Sequence, residues 1–215
     1  MKLAHGWHFP NGEKHMIDWL AEPKNKLILN GRESYQGKKQ VAAIAHCTNR
    51  RVAVDIGSHI GLWTHNLAAA FESVQAFEPV AAHRECFTAN IHASNVELNA
   101  CALGHEMGMV NIWSNPTSSG DSWVSGTGDI PMHTLDSFEL ECVDLLKIDC
   151  EGFELNVLRG AVETIARCKP VICVEQKRDM AVKFGLKPQG AIEFLQSRGY
   201  RVAEVLSGDY IMVPA

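Results

Sequence analysis

From about Val52 onward, short apolar runs alternate with longer stretches of helical spacing. "RVAVDIG" has the pattern of a buried strand that ends in glycine, and "LWTHNLAAAFE" repeats its apolar residues at helical intervals. "VQAFEP" predicts a second strand stopped by Pro79, "AAHRECFTANIHAS" a second helix, and "VELNACALG" a third strand. Between Met107 and Met132 the rhythm breaks. "VNIWS", the loop-like "NPTSSGDSW" and the Gly/Ser-rich "VSGTGDIP" predict an extra strand or two around a mobile loop. The alternation then resumes with strand "VDLLKID", helix "FELNVLRGAVETIARC", strand "PVICVEQ" and helix "PQGAIEFLQSRGY", the last bracketed by Pro188 and Gly199. "YRVAEVL" and "DYIMVP", separated by "SGD", predict a closing hairpin. Strands alternating with helices in this way mean a mostly parallel α/β sheet with an antiparallel element at its end.

Residues 1–50 follow a different pattern. "HMIDWLAE" predicts a short amphipathic helix and "GWHFPNGEKH" a loop, so residues 1–50 read as an N-terminal extension or arm ahead of a domain spanning 51–215. Composition narrows the picture further. The 215 residues are 46% hydrophobic and 21% charged, as in an ordinary globular protein. A net charge of -5 gives no support for bulk nucleic-acid or acidic-membrane binding. No apolar run is long enough to span a bilayer, and the N-terminus lacks a secretory h-region. Seven cysteines without a CxxC pair read as reduced thiols, which points to the cytoplasm. The scattered histidines form no zinc spacing.

In an open α/β sheet, ligands bind beyond the carboxyl ends of the strands, where strand order reverses. The first such place is "VDIGSHIGLW". Gly57 allows a tight turn, Gly61 a close backbone approach, and the following helix start offers free N–H groups. His59 stands where a dinucleotide fingerprint wants its second glycine, which weakens a pyrophosphate reading. Asp55 argues for a ligand with a positive group. An amino acid moiety meets both demands, its ammonium at Asp55 and its carboxylate at the helix end. Glu78, about twenty residues on, holds the position expected to bond ribose hydroxyls. A nucleoside joined to an amino acid is S-adenosylmethionine. Ser58, His59 and Pro79 flank these positions and join the candidate cofactor set, although His59 can equally serve only to accommodate the turn.

"KIDCEGFE" closes the fourth crossover strand, which this topology lays beside the first. Asp149 and Glu151 are two apart, so on an extended chain they share a face. Lys147 either pairs with Asp149 or reaches a substrate. Glu154 falls in a first helical turn, where a carboxylate is favourable. Methyl transfer is an in-line displacement that gains much from positioning, and a hydroxyl acceptor must also lose a proton. Asp149 or Glu151 is suited to take it. A carboxylate-bound Mg²⁺ is compatible with these acids, but no spacing calls for a metal.

"VDIGSHIGLWT", "FEPV", "ALG", "TLDSF" and "LLKIDCEGFELNVLRGA" together resemble the FkbM family of S-adenosylmethionine-dependent methyltransferases, from about Arg51 to Tyr200. The resemblance implies a class I (Rossmann-like) methyltransferase fold, with a seven-stranded sheet and helices on both faces. It implies O-methylation of a hydroxyl, often on a sugar or polyketide-like product, with S-adenosylhomocysteine as co-product. By position it assigns Asp55, Gly57 and Gly61 to the methionine part and Glu78 to the ribose. Cys101 and Ala102 go to the adenine, and Asp149, Glu151 and Gly152 to the border of the methyl group. Glu175 stands where the family tends to carry an acid, and either faces the substrate or pairs with Lys177 or Arg178. The family usually has Asn where His59 stands. For the acceptor, Trp7, His8, Glu13 and His15 in the arm, and Ser118, Ser119, Asp121 and Trp123 in the expected lid, are suitable residue types.

Other classes fit less of the chain. A nicotinamide dehydrogenase would want GxGxxG, which is absent. A metal-dependent glycosyltransferase would use "DCE" but leave Asp55, Gly57 and Gly61 unexplained. A cofactor-binding protein without turnover, serving as scaffold or sensor, shares all the cofactor features. Neither the acceptor nor the oligomeric state, a homodimer included, follows from these residues.

Overall fold

The computed structural model describes residues 1–177 and 180–215. The seven strands of its main sheet are β1 (Val52–Ile56), β2 (Ser73–Phe77), β3 (Val96–Asn99), β4 (Val143–Ile148), β5 (Val171–Glu175), β6 (Tyr200–Leu206) and β7 (Asp209–Pro214). Their order is β6-β7-β5-β4-β1-β2-β3. β1 to β5 run parallel, and β7 runs antiparallel to both β5 and β6. The chain steps outward from β1 through β2 to β3, then returns to the other side of β1 as β4. The switch point therefore lies between the carboxyl ends of β1 and β4.

The helices are α1 (His15–Ala21), α2 (Gly37–Ala45), α3 (Thr64–Ala70), α4 (Ala81–Asn90), α5 (Glu154–Arg159), α6 (Val162–Cys168) and α7 (Gly190–Gln196). Side chains alternate along each strand, so the sheet has two apolar faces. Val54, Ile56, Leu146 and Ile148 pack with Leu155, Ile165 and Leu195 of α5 to α7. Ala53, Leu145 and Cys173 pack on the opposite face with Ala43 of α2 and Leu67 of α3. Among the described residues no helix is long and apolar enough to cross a membrane.

Three local expectations change. The single helix expected after "KIDCEG" is two, because the carboxylate of Asp136 accepts the backbone N–H groups of Glu163 and Thr164 and starts α6 afresh. "VELNACALG" is not one strand: β3 stops at Asn99, and Ala102–Leu103 joins a separate three-stranded sheet with Gly108–Val110 and Ile130–His133. The expected mobile loop at Ser118–Trp123 is a strand, Ser118–Val124, paired antiparallel with Ile112–Asn115. Trp113 and Trp123 face each other across that hairpin with ring centroids 4.0 Å apart, a contact that rewards the pairing despite the Ser/Gly-rich sequence.

Residues 1–50 pack closely on the domain. Trp7–Phe9, read as loop, pairs with Lys2–Ala4. Trp7 and Phe9 are fully buried against Ile60, Leu62 and Cys86. The side chain of Asn90, at the end of α4, accepts from the peptide N–H of His8 and donates to the carbonyls of His8 and Ile60. Trp7→Ala should therefore cost roughly 3–5 kcal/mol of global stability in denaturant unfolding. A loss below about 1 kcal/mol would show that this segment does not share the core.

Candidate functional site

A cleft opens at the switch point, with about 890 Å³ of empty space including its mouth. Its floor is the turn after β1, where Gly57 has φ +73°. A side chain there would strike the carbonyl of Asp149, so glycine lets the β1 and β4 loops touch. Lys147 and Asp55 stand opposite each other in the β4–β1 register. Lys147 Nζ lies 3.2 Å from Asp55 Oδ1 and donates to the Gly57 carbonyl at 2.9 Å. Asp55 Oδ2 accepts from the Thr64 hydroxyl of α3 at 2.6 Å. Burial works against the charge on Lys147, but Asp55 and Asp149 outweigh it and raise its pKa.

Two of the expected cofactor residues stand away from the cleft wall. Asp55 is fully buried and does not line the cleft, because its oxygens are directed to Lys147 and Thr64. Gly61 does not line it either. A Cβ there would meet Ile91 and Phe87, so the glycine serves packing against α4. Gly57, Ser58 and His59 do line the cleft. Ser58 Oγ and His59 Nδ1 are buried and have no hydrogen-bond partner among the described residues.

Glu78, at the end of β2, is also in the wall and 96% shielded from solvent, its exposure being 4%. Its carboxylate accepts from the peptide N–H groups of His59 (2.9 Å) and Val80 (2.8 Å) and bonds His83 Nδ1 (3.1 Å). Next to it, Phe77, Pro79, Cys101, Ala102 and Leu103 form an apolar wall.

Asp149, Cys150 and Glu151 reach the cleft from the β4 turn. The turn is not extended, since Glu151 sits at φ +49° and Gly152 at φ +103°, yet the acids still converge. Asp149, Glu151 and Glu175 offer oxygens within 4.8 Å of one another, the one group among the described residues with the reach to hold a metal ion. Lys177 Nζ already lies 2.9 Å from Glu151 and 3.0 Å from Glu175. The alternative partner Arg178 lies outside the described residues. Burial, then Asp149, raises the pKa of both Glu151 and Glu175, with Lys177 opposing. Glu154 accepts the N–H groups of Cys150 and Gly152, and burial lifts it to about 7.

The antiparallel hairpin forms another wall with Ser119, Ser122, Trp123 and Val124, and residues 1–50 contribute Met16, Tyr35 and Gln36. Trp7, His8 and His15 do not line the cleft: Trp7 is sealed in the core, His8 is tied to Asn90, and His15 is exposed at the start of α1. Glu175 stands behind the lining, buried beside Lys177. Tyr35 and Gln36 carried no periodic or motif signal in the sequence. His83 carried a faint one, a histidine in the first turn after "FEP".

With this geometry in view, the sequence profile of the methyltransferase FkbM domain matches residues 55–202. The chain belongs to the FkbM methyltransferase family. A search of curated proteins finds no match. Among solved structures, it is similar to the FkbM methyltransferase of Methylobacillus flagellatus KT, with 18% identity and a TM-score of 0.51 over 76% of this chain. The chain spans only 43% of that protein's length. A Streptococcus mutans protein assigned as a methyltransferase, solved in complex with SAH, matches 82% of this chain and 94% of its own with 9% identity and a TM-score of 0.52. A Clostridium thermocellum protein assigned as an rRNA-methylase matches 86% of this chain and 97% of its own with 12% identity and a TM-score of 0.52. These likenesses establish the class I methyltransferase fold for this FkbM domain.

Two outcomes follow from the site's electrostatics. Gly57→Ala should destabilise the protein by more than 1 kcal/mol in chemical unfolding, because both φ and the Asp149 carbonyl oppose a side chain; an unchanged midpoint would contradict that contact. For the acids, a raised folded-state pKa stabilises the fold at low pH, and that stability is lost as pH rises through the folded value. From about pH 5 to pH 9 the melting temperature of the wild type should therefore fall relative to that of Glu175→Gln, whose carboxamide does not titrate. A difference between the two that stays constant across this range would contradict the raised value of Glu175.

Proposed function

We propose that the cleft binds S-adenosylmethionine and that the chain methylates a hydroxyl on a sugar or other small natural product. The observation that carries the reading is Ser58 Oγ, a buried and unpartnered polar atom in the turn after β1, in a cavity that also holds a strand-end carboxylate and an apolar wall. A polar ligand with an apolar ring satisfies all three. The adenine fits the wall of Phe77, Cys101, Ala102 and Leu103, and Glu78 accepts from the ribose hydroxyls. Gly57 and Ser58 lie against the amino acid part, His59 stands between it and the ribose, and Pro79 borders the nucleoside. When bound, the cofactor supplies an electrophilic methyl group on its sulfonium.

The chain's own residues handle the acceptor. Asp149 and Glu151 stand at the cleft and are suited to accept the hydroxyl proton. Lys147 and Glu175 act behind them, Lys147 by fixing the floor and Glu175 by holding Lys177. Trp123 borders the acceptor side with its ring edge, because Trp113 and the Lys183 ammonium cover its faces, and Ser119 lies beside it. Residues 1–50 close one side of the site with Met16, Tyr35 and Gln36, so the arm belongs to the acceptor site and not to a separate function. Burial, then Asp149 and Glu175, raises the pKa of Tyr35, which keeps its hydroxyl protonated as a donor. No residue role requires a metal or a nucleic acid, and the free cysteines support a reducing, cytoplasmic setting.

Calorimetric titration with S-adenosylhomocysteine tests the reading, run beside NAD and UDP-glucose. Micromolar binding of S-adenosylhomocysteine alone is expected, and Glu78→Gln should weaken it by about tenfold or more. Heat from NAD or the nucleotide sugar instead would overturn it. Once an acceptor is found by screening hydroxylated compounds, Asp149→Asn should bind S-adenosylhomocysteine normally yet lose turnover by about 10²-fold or more. A normal rate would make Asp149 structural.

A further inference from the structure

A chain of hydrogen bonds that starts in the arm ends at the cleft. Glu13 lies in the arm and is 1% exposed. One of its oxygens accepts the Met16 peptide N–H at 2.8 Å. The other accepts both the peptide N–H (2.6 Å) and the hydroxyl of Ser119 on the antiparallel hairpin. Ser119 Oγ in turn lies 2.9 Å from His59 Nε2. With its only proton given to Glu13, the serine oxygen can act toward His59 only as an acceptor. That places the imidazole proton on Nε2 and leaves Nδ1 as a bare acceptor, and Nδ1 has no hydrogen-bond partner among the described residues.

We propose that Glu13 and Ser119 are positioning residues that hold His59 in its Nε2–H tautomer, so that Nδ1 accepts a hydrogen bond from a ribose hydroxyl of the bound cofactor. The inference rests on the cofactor reading above. The ribose is selected by the surroundings of His59. Its peptide N–H donates to Glu78 at 2.9 Å, and its ring packs edge-on against His83 at 4.3 Å, which itself bonds Glu78. Burial, then His83 and Lys147, lowers the pKa of His59, so the ring is neutral and keeps its acceptor. The chain links three parts far apart in sequence: the arm, the hairpin and the turn after β1.

Ser119→Ala removes the hydroxyl but keeps the hydrogen bond from the backbone N–H to Glu13, and Ser119→Thr keeps both. Calorimetry should show S-adenosylhomocysteine binding about three- to tenfold weaker in Ser119→Ala, the worth of one hydrogen bond, with recovery in Ser119→Thr. Nitrogen-15 NMR of the wild-type complex should show the His59 proton on Nε2, and a tautomer mixture in Ser119→Ala. The loss of affinity from S-adenosylhomocysteine to a 2′- or 3′-deoxy analogue should be smaller in Ser119→Ala than in the wild type, the remainder being the bond to Glu78. A proton on Nδ1 in the wild-type complex, or equal affinities in wild type and Ser119→Ala, would overturn the relay while leaving the cofactor site standing. If the wild type binds no S-adenosylhomocysteine, the cofactor reading falls, and the relay's ligand with it.

Discussion

Lys147 and Asp55 meet across β4 and β1 in a buried ion pair that fixes the two loops of the switch point against each other. Two charges out of water are costly, and the cost is offset only when the remaining bonding capacity is met. Here the Thr64 hydroxyl takes the second oxygen of Asp55, and the Gly57 carbonyl takes a proton of Lys147. The turn after β1 is thus tied to β4 through both side chain and backbone. Gly57 allows the approach, since the carbonyl of Asp149 occupies the space a Cβ would need. Shifting the floor would strand a buried charge, so the cleft keeps its shape while its walls carry the chemistry.

Around that floor the chain assembles walls from segments with little in common. β2 and the three-stranded sheet supply an acid and an apolar surface; the β4 turn supplies carboxylates. The hairpin and residues 1–50 close the remaining sides, joined to each other through Glu13 and Ser119. The acid cluster is balanced by Lys177, whose ammonium spans Glu151 and Glu175. Asp149 stands outside that double pairing and nearest the floor, 3.9 Å from Lys147. Asp149 thus has a different cationic partner from Glu151 and Glu175.

The alternation of apolar runs was enough to read the mostly parallel sheet and the closing hairpin, because each buried strand carries its own local signal. Gly57 and Glu78 were legible for the same reason, as a turn and a strand end. The direction of Asp55 was not. A strand-end acid looks the same whether it faces a ligand or a lysine on a neighbouring strand, and Lys147 becomes that neighbour only through long-range pairing. Trp7 and His8 looked like acceptor residues because aromatic and polar types suit both a binding surface and a docked segment. Ser118–Val124 looked like a lid because Ser and Gly disfavour strands, while the Trp113–Trp123 contact that offsets them spans the turn. Tyr35 and Gln36 reach the cleft by tertiary packing alone.

The most direct test of this account is a crystal structure of the protein grown with S-adenosylhomocysteine. The account predicts the ligand in the cleft with its ribose against Glu78 and its adenine on the Phe77–Leu103 wall, and with Lys147 still paired to Asp55. Ligand elsewhere on the molecule, or Asp55 turned from Lys147 to meet the ligand's ammonium, would contradict it.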